Sequence, residues 1–117
     1  MWIDSNHSPA VYATMINMFV NPLDSVFAAL ASLPRRQILS FLSQTALTTA
    51  ELAGRFGMSA PAISRHLGIL QDAGLVSGER QGQRVLYRLN RDALLNALSR
   101  LAAEVDGPLR TAPREAI

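Results

Sequence analysis

The sequence predicts a mainly α fold with a small β-hairpin and with helices at both ends forming a dimer interface. Three observations predict it. Two helix starts, at Thr48 and Ser59, follow each other closely and are separated by one glycine turn. A strictly alternating run, Arg84 to Leu89, follows a Gln-Gly turn. The segment Ala10 to Val20 is apolar nearly all round and asks for a subunit partner to cover it.

Ala10 to Val20 has apolar residues at helical spacing on two faces, Val11, Met15 and Met18, and Tyr12, Ile16 and Phe19. Such a helix needs a cover, and a subunit partner is the favoured one. Residues 1–21 therefore read as an N-terminal extension with a short apolar helix, ended by Asn21-Pro22. Leu23, Val26, Phe27 and Leu30 make the stripe of the next helix. Pro34 suits the first turn of a third, which carries Ile38, Leu39, Phe41 and Leu42.

Thr48 and Glu51 form a capping box, and Leu47 can staple onto Leu52 across it. Gly57 ends that helix in a left-handed conformation. Only Met58 intervenes before Ser59, a good N-cap, with Pro61 in the first turn. Ile63, Leu67 and Leu70 then share one face, and Gly74 closes the helix. Two capped helices joined by a tight turn make a helix-turn-helix. The hairpin over 76–89 turns at Gln81-Gly82, with Arg80, Gln83 and Arg84 clustered at its tip. Asn90 caps a last helix, striped by Leu94, Leu98, Leu101 and Val105. Residues 22–106 thus form one winged helix-turn-helix domain for DNA binding and dimerisation, and 107–117 a flexible tail.

Charge points to the partner. All 11 basic residues are Arg. Between Arg55 and Arg91 six of them face only Asp72 and Glu79, a balance of +4, while the rest carries −2. A basic segment on a near-neutral chain suits an anionic partner on one face. Biased codon usage explains the missing Lys but not the clustering. There is no Cys, which removes disulfides and thiolate metal sites and makes a reducing cytoplasm the default. Met1 to Pro34 holds no Lys or Arg, so no signal peptide is expected. The apolar run at 10–20 is too short to span a bilayer, so no membrane partner is expected either.

In a helix-turn-helix the outer, N-terminal part of the second helix enters the major groove of double-stranded DNA. Here that part presents Ser59, Ala60, Pro61, Ser64, Arg65 and His66. Arg65 points away from the core stripe, and its two-pronged donor geometry suits guanine O6 and N7 or a phosphate. The first turn also aims free N–H groups at any nearby phosphate. Arg80, Gln83 and Arg84 supply a second contact to backbone or minor groove. His66 lies close to the core stripe, so internal packing competes with DNA contact there. Arg35 and Arg36 read as salt-bridge partners or one phosphate contact, and Arg88 as a phosphate ligand or the partner of an acid.

At this point the chain resembles a known family. "LDSVFAALASLPRRQILSFL", "LTTAELAGRFGMSAPAISRHLGILQDAGLV" and "RQGQRVLYRLN" are similar to the winged-helix repressors of the arsenical-resistance, or ArsR-type, family. The resemblance runs from about Leu23 to Leu101. It implies a cytoplasmic homodimer, paired through its first and last helices, repressing at a two-fold symmetric operator. Val11, Met15, Phe19, Leu23, Phe27, Leu94, Leu98, Leu101 and Val105 would line that interface. The Ser59–Leu70 helix would be the reader and 76–89 the wing. The Cys positions of arsenic-sensing members align with Thr48, Ala50 and Ala53, and the last helix has Asp92 and Glu104 but no His. No metal and no cofactor are therefore expected, as in members that repress without a metal. An inducer, whether small molecule or protein, is left open.

Two rival classes fit the sequence less well. A winged-helix module that binds only protein would leave the reader helix idle, and the Arg-tipped wing argues against it. An enzyme finds no support, because Ser64 and His66 sit too close on one helix to form a catalytic pair.

Overall fold

The computed structural model describes residues 22–106. The expected 10–20 helix, its interface residues Val11, Met15 and Phe19, and the 107–117 tail lie outside the described residues.

Five helices and three short strands follow in the order α1 (Pro22–Leu30), α2 (Leu33–Leu42), β1 (Leu47–Thr48), α3 (Thr49–Phe56), α4 (Ala60–Asp72), β2 (Val76–Gln81), β3 (Arg84–Leu89) and α5 (Arg91–Asp106). Each boundary has a local cause. Ser32 caps α2, its Oγ accepting from the Arg35 N–H at 3.4 Å, with Pro34 in the first turn where no N–H is needed. The capping box at α3 is complete: the Thr48 N–H donates to Glu51 Oε1 at 2.9 Å, and the Glu51 N–H donates to Thr48 Oγ1 at 3.2 Å. Gly57 closes α3 at φ 66°.

The end of α4 is a Schellman motif. The Leu75 N–H bonds to the Leu70 carbonyl and the Gly74 N–H to that of Gln71, both at 2.9 Å, with Gly74 at φ 77°. Leu70 and Leu75, the hydrophobic pair such motifs favour, are both fully buried. That turn drops the chain directly from the reader helix into β2.

The core is one cluster built from every element up to β2. Ile38, Leu52, Ile63, Leu67, Leu70, Leu75 and Val76 are sealed from solvent. The expected stripe of α4 is therefore its inner face. From α5 only Ala97 is fully buried, with Leu94 half-buried beside the core. The rest of that helix's apolar stripe is open: Leu95 is 50%, Leu98 36%, Leu101 40% and Val105 77% exposed.

Several expectations are corrected. The expected hairpin is present, and a third strand joins it in the order β1-β3-β2. Leu47 and Thr48, read only as staple and cap, also pair antiparallel with Tyr87 and Leu86. Two residues are too short to display alternation, so nothing in the sequence marked them as a strand. The hairpin turn falls one residue later than expected, at Gly82-Gln83, because Gln81 pairs with Arg84. Gly82 has φ 65° and Gln83 has no positive φ, which suits a turn with glycine first.

Asn90 precedes α5, but its side chain does not cap that helix. Its Nδ2 donates to the Gly74 carbonyl at 2.9 Å and its Oδ1 accepts from Ser77 Oγ at 3.3 Å. It latches the wing's base to the end of α4 instead. Leu23, expected at a subunit interface, is 6% exposed and belongs to the protomer's own core. Phe27 is half-buried against that core.

Candidate nucleic-acid interface

Residues advance by about 100° around a helix, so Arg65 stands roughly opposite Ile63, which is sealed in the core. Ala60, Pro61, Ser64 and Arg65 are exposed along the outer, N-terminal side of α4, with the capping residue Ser59 exposed ahead of them. The first turn offers less to an anion than the sequence suggested. The Ser59 side chain accepts from the Ala62 N–H at 3.3 Å, the Ile63 N–H bonds to the Ser59 carbonyl, and Pro61 has no N–H. The Ala60 N–H alone is left for a phosphate. An anion at this end of α4 would therefore meet mainly side chains.

His66 is half-buried and turns back into the protein. Its Nδ1 lies 3.4 Å from Arg35 Nη1. Burial, then the charges of Arg35 and Arg65, push the imidazole below its ordinary pKa and keep it neutral near pH 7. Of the two readings the sequence allowed, the structure supplies the internal partner.

Arg80, Gln83 and Arg84 are exposed on the wing. They do not form one cluster. Directly paired residues share a face of a hairpin, so Arg80 sides with Val85 and Arg84 with Gln81. The two arginines project from opposite faces of the wing. Gln83 and Arg84 border a cleft of about 580 Å³ that is also lined by Thr48, Thr49, Ala50, Glu51 and Ala60. This cleft brings one edge of the wing tip to the starts of α3 and α4. Glu51 in its wall is held below the usual carboxylate range, chiefly by its hydrogen bonds from Thr48 and then by the charges of Arg55 and Arg84.

The arginines divide into those with internal partners and those without a hydrogen bond or ion pair among the described residues. Arg35 donates through Nε to the Ala29 carbonyl at 2.7 Å and through Nη2 to that of Ala28 at 3.2 Å, and Arg36 donates to the Leu30 carbonyl at 2.6 Å. Both satisfy the last turn of α1, in place of the expected salt bridges. Arg55 lies over the Phe41 ring, 5.3 Å from its centre. Arg88 pairs with Glu79 at 3.8 Å, and Arg91 donates to the Ser43 carbonyl at 3.0 Å. The side chains of Arg65, Arg80 and Arg84 make no hydrogen bond or ion pair among the described residues. No signal in the sequence marked Arg91 or Arg55 as internal. Both had counted toward the basic segment.

Among the described residues no three His, Cys, Asp or Glu side chains come together as a metal site. No helix there is long and apolar enough to cross a membrane.

Comparison with known proteins agrees with this geometry. The model of the bacterial regulatory protein, arsR family, matches residues 34–77. The transcriptional repressor SdpR of Bacillus subtilis is 36% identical over 77 residues, which is 66% of this chain and 86% of that protein. The solved ArsR-like transcriptional regulator from Rhodococcus sp. RHA1 is 38% identical with TM-score 0.64, covering 73% of this chain and 83% of that one. A homodimeric winged helix-turn-helix DNA-binding domain from Mycobacterium bovis is 31% identical with TM-score 0.61, covering 86% of this chain and 91% of that one. By sequence and by fold, the chain belongs to the ArsR family of bacterial transcription regulators.

Proposed function

We propose that this chain is a homodimeric repressor that binds a two-fold symmetric operator with the 59–73 helix and the 76–89 wing of each protomer. The observation that carries the reading is the arginine account. Arg65, Arg80 and Arg84 make no hydrogen bond or ion pair among the described residues, while Arg55, Arg88 and Arg91 are engaged within the protein. Arg65 and Ser64 read bases. Arg84, with Gln83, holds the phosphate that enters the cleft beside Ala60, and Arg80 reaches the backbone on the wing's other side. Ser59, Ala60 and Pro61 lie against the groove wall, and His66 backs the helix.

The second copy covers the open stripe of α5. Leu95, Leu98, Leu101 and Val105 form a row of exposed apolar side chains, with Leu94 at its inner edge, and the Mycobacterium bovis relative is itself homodimeric. On this reading the protein works in the cytoplasm beside its DNA, and half-sites lie about one helical turn, roughly 10 bp, apart.

The experiment is selection of bound duplexes from a random DNA pool, followed by titration of the enriched sequence. A two-fold symmetric consensus is expected. Failure to enrich any sequence over the input pool would overturn the reading.

A further inference from the structure

Behind the reader helix one guanidinium joins two elements. Arg35, in the first turn of α2, donates to the carbonyls of Ala29 at 2.7 Å and Ala28 at 3.2 Å in the last turn of α1. Its remaining amino group, Nη1, faces His66 Nδ1 in α4 at 3.4 Å. A neutral imidazole with Nδ1 as acceptor carries its proton on Nε2, and burial keeps the ring in that neutral state.

Direct packing does not fill the space beside this joint. A groove of about 370 Å³ separates α1, at Ser25 and Ala28, from the second half of α4, at Ile69 and Ala73. Arg35 lines the same groove, and Ile69 is left 43% exposed in it. The α1 wall is small, Ser25, Ala28 and Ala29, while Ile69 and Asp72 line the α4 side. The arginine thus ties α1 and α2 to α4 beside the groove, where the helices' own packing leaves off. On its far side α1 packs against α5, the helix with the open apolar stripe.

We propose that Arg35 is a positioning residue: through His66 it fixes the angle between the reader helix and the α1–α5 face, and so sets the distance between the two readers of a dimer. This rests on the function proposed above. The selectivity it governs is for half-site spacing, not for any base.

The test uses the full chain and the operator obtained by selection, remade with one base pair added to or removed from its centre. Affinity is measured for each duplex, for a single half-site, and as a function of salt. Wild type is expected to prefer the selected spacing. Arg35→Gln is expected to remain a folded dimer and to lose roughly threefold to tenfold of that preference, with half-site affinity and salt slope unchanged. His66→Leu should reproduce the loss while leaving the α1 carbonyl contacts in place. His66→Gln, which keeps an acceptor, should restore it.

An unchanged spacing preference in both Arg35→Gln and His66→Leu would overturn the proposal. So would a uniform loss on all duplexes with a salt slope reduced by about one, the mark of a phosphate contact. If Arg35→Gln does not fold, His66→Leu and His66→Gln decide alone. If wild type enriches no duplex at all, it is the DNA-reading function that fails.

Discussion

Gly78 lies directly across the hairpin from Tyr87, and a methyl group added there would come 2.9 Å from Val85 Cγ1 and 3.1 Å from the Tyr87 ring. The ring and the valine occupy the space that any side chain at 78 would need. Gly78→Ala is expected to push the ring aside and cost about 1–3 kcal/mol, as overpacking does. Thermal unfolding measures the loss, and the NMR shifts of the Tyr87 ring protons report its displacement. A melting temperature equal to the parent's means the wing yields more easily than this geometry allows.

Arginine substitutions should sort by the partners seen here. Arg65→Ala is expected to weaken operator binding by about 1–3 kcal/mol and to relax the preference at one base pair. Arg84→Ala should weaken binding to every duplex alike and lower the salt slope by about one. Arg88→Ala, which loses only an exposed pair with Glu79, should change operator affinity little. Titrations at several salt concentrations check all three. If Arg65→Ala and Arg84→Ala both bind like the parent, the interface is assigned to the wrong face.

Thr48 serves two elements at once, as cap of α3 and as partner of Leu86 in the sheet. Thr48→Ala removes the hydroxyl that receives the Glu51 N–H and is expected to cost about 1 kcal/mol. Thr48→Ser keeps that acceptor and should recover most of the loss in a denaturant titration. Equal losses in the two variants would point away from capping.

His66 makes stability depend on pH. Its pKa is lowered in the folded protein, first by burial and then by Arg35 and Arg65. Near and below its ordinary pKa of about 6.5 the unfolded chain therefore binds more protons than the folded one. This contribution is present above that value and is lost as the pH falls through the folded pKa. The melting temperature should decline on acidification below about pH 6.5, and His66→Gln should flatten that part of the curve. A parallel decline in the variant would assign it to other groups.

A charge placed in the open stripe of α5 should separate assembly from folding. Leu98 and Leu101 are 36% and 40% exposed in one protomer, so Leu98→Glu with Leu101→Glu costs the monomer little. The dimer loses its apolar seam, and tight operator binding goes with it. Sedimentation and circular dichroism read the two effects apart. A dimer that survives both changes uses another face.

Legibility followed the physics of each signal. Caps are local, and Thr48 with Glu51, Ser59, Gly57 and Gly74 all occur where the sequence indicated. The α4 stripe repeats over enough turns to be unambiguous, so its inner and outer faces were readable. Contacts between elements distant in the chain were not. No local pattern joins Leu47 to Tyr87, Asn90 to Gly74, or Arg35 to Ala28 and His66. The same limit made Arg91 and Arg55 look like parts of a DNA-facing charge when each has an internal partner. Hairpin pairing puts Arg80 and Arg84 on opposite faces, and would do so equally for a turn at Gln81-Gly82.

The β1–β3 pairing changes what kind of instrument the wing is. Its inner strand is stitched by backbone to the residue that opens α3, and its base is tied through Asn90 to the residue that follows α4. A blade anchored at its middle and its base behaves as a fixed caliper. A duplex whose grooves differ from the caliper's setting has to be bent to fit, and stiff sequences are rejected at positions no side chain touches. Amide exchange at Leu47 and Tyr87, which pair across β1 and β3, should accordingly rise and fall together.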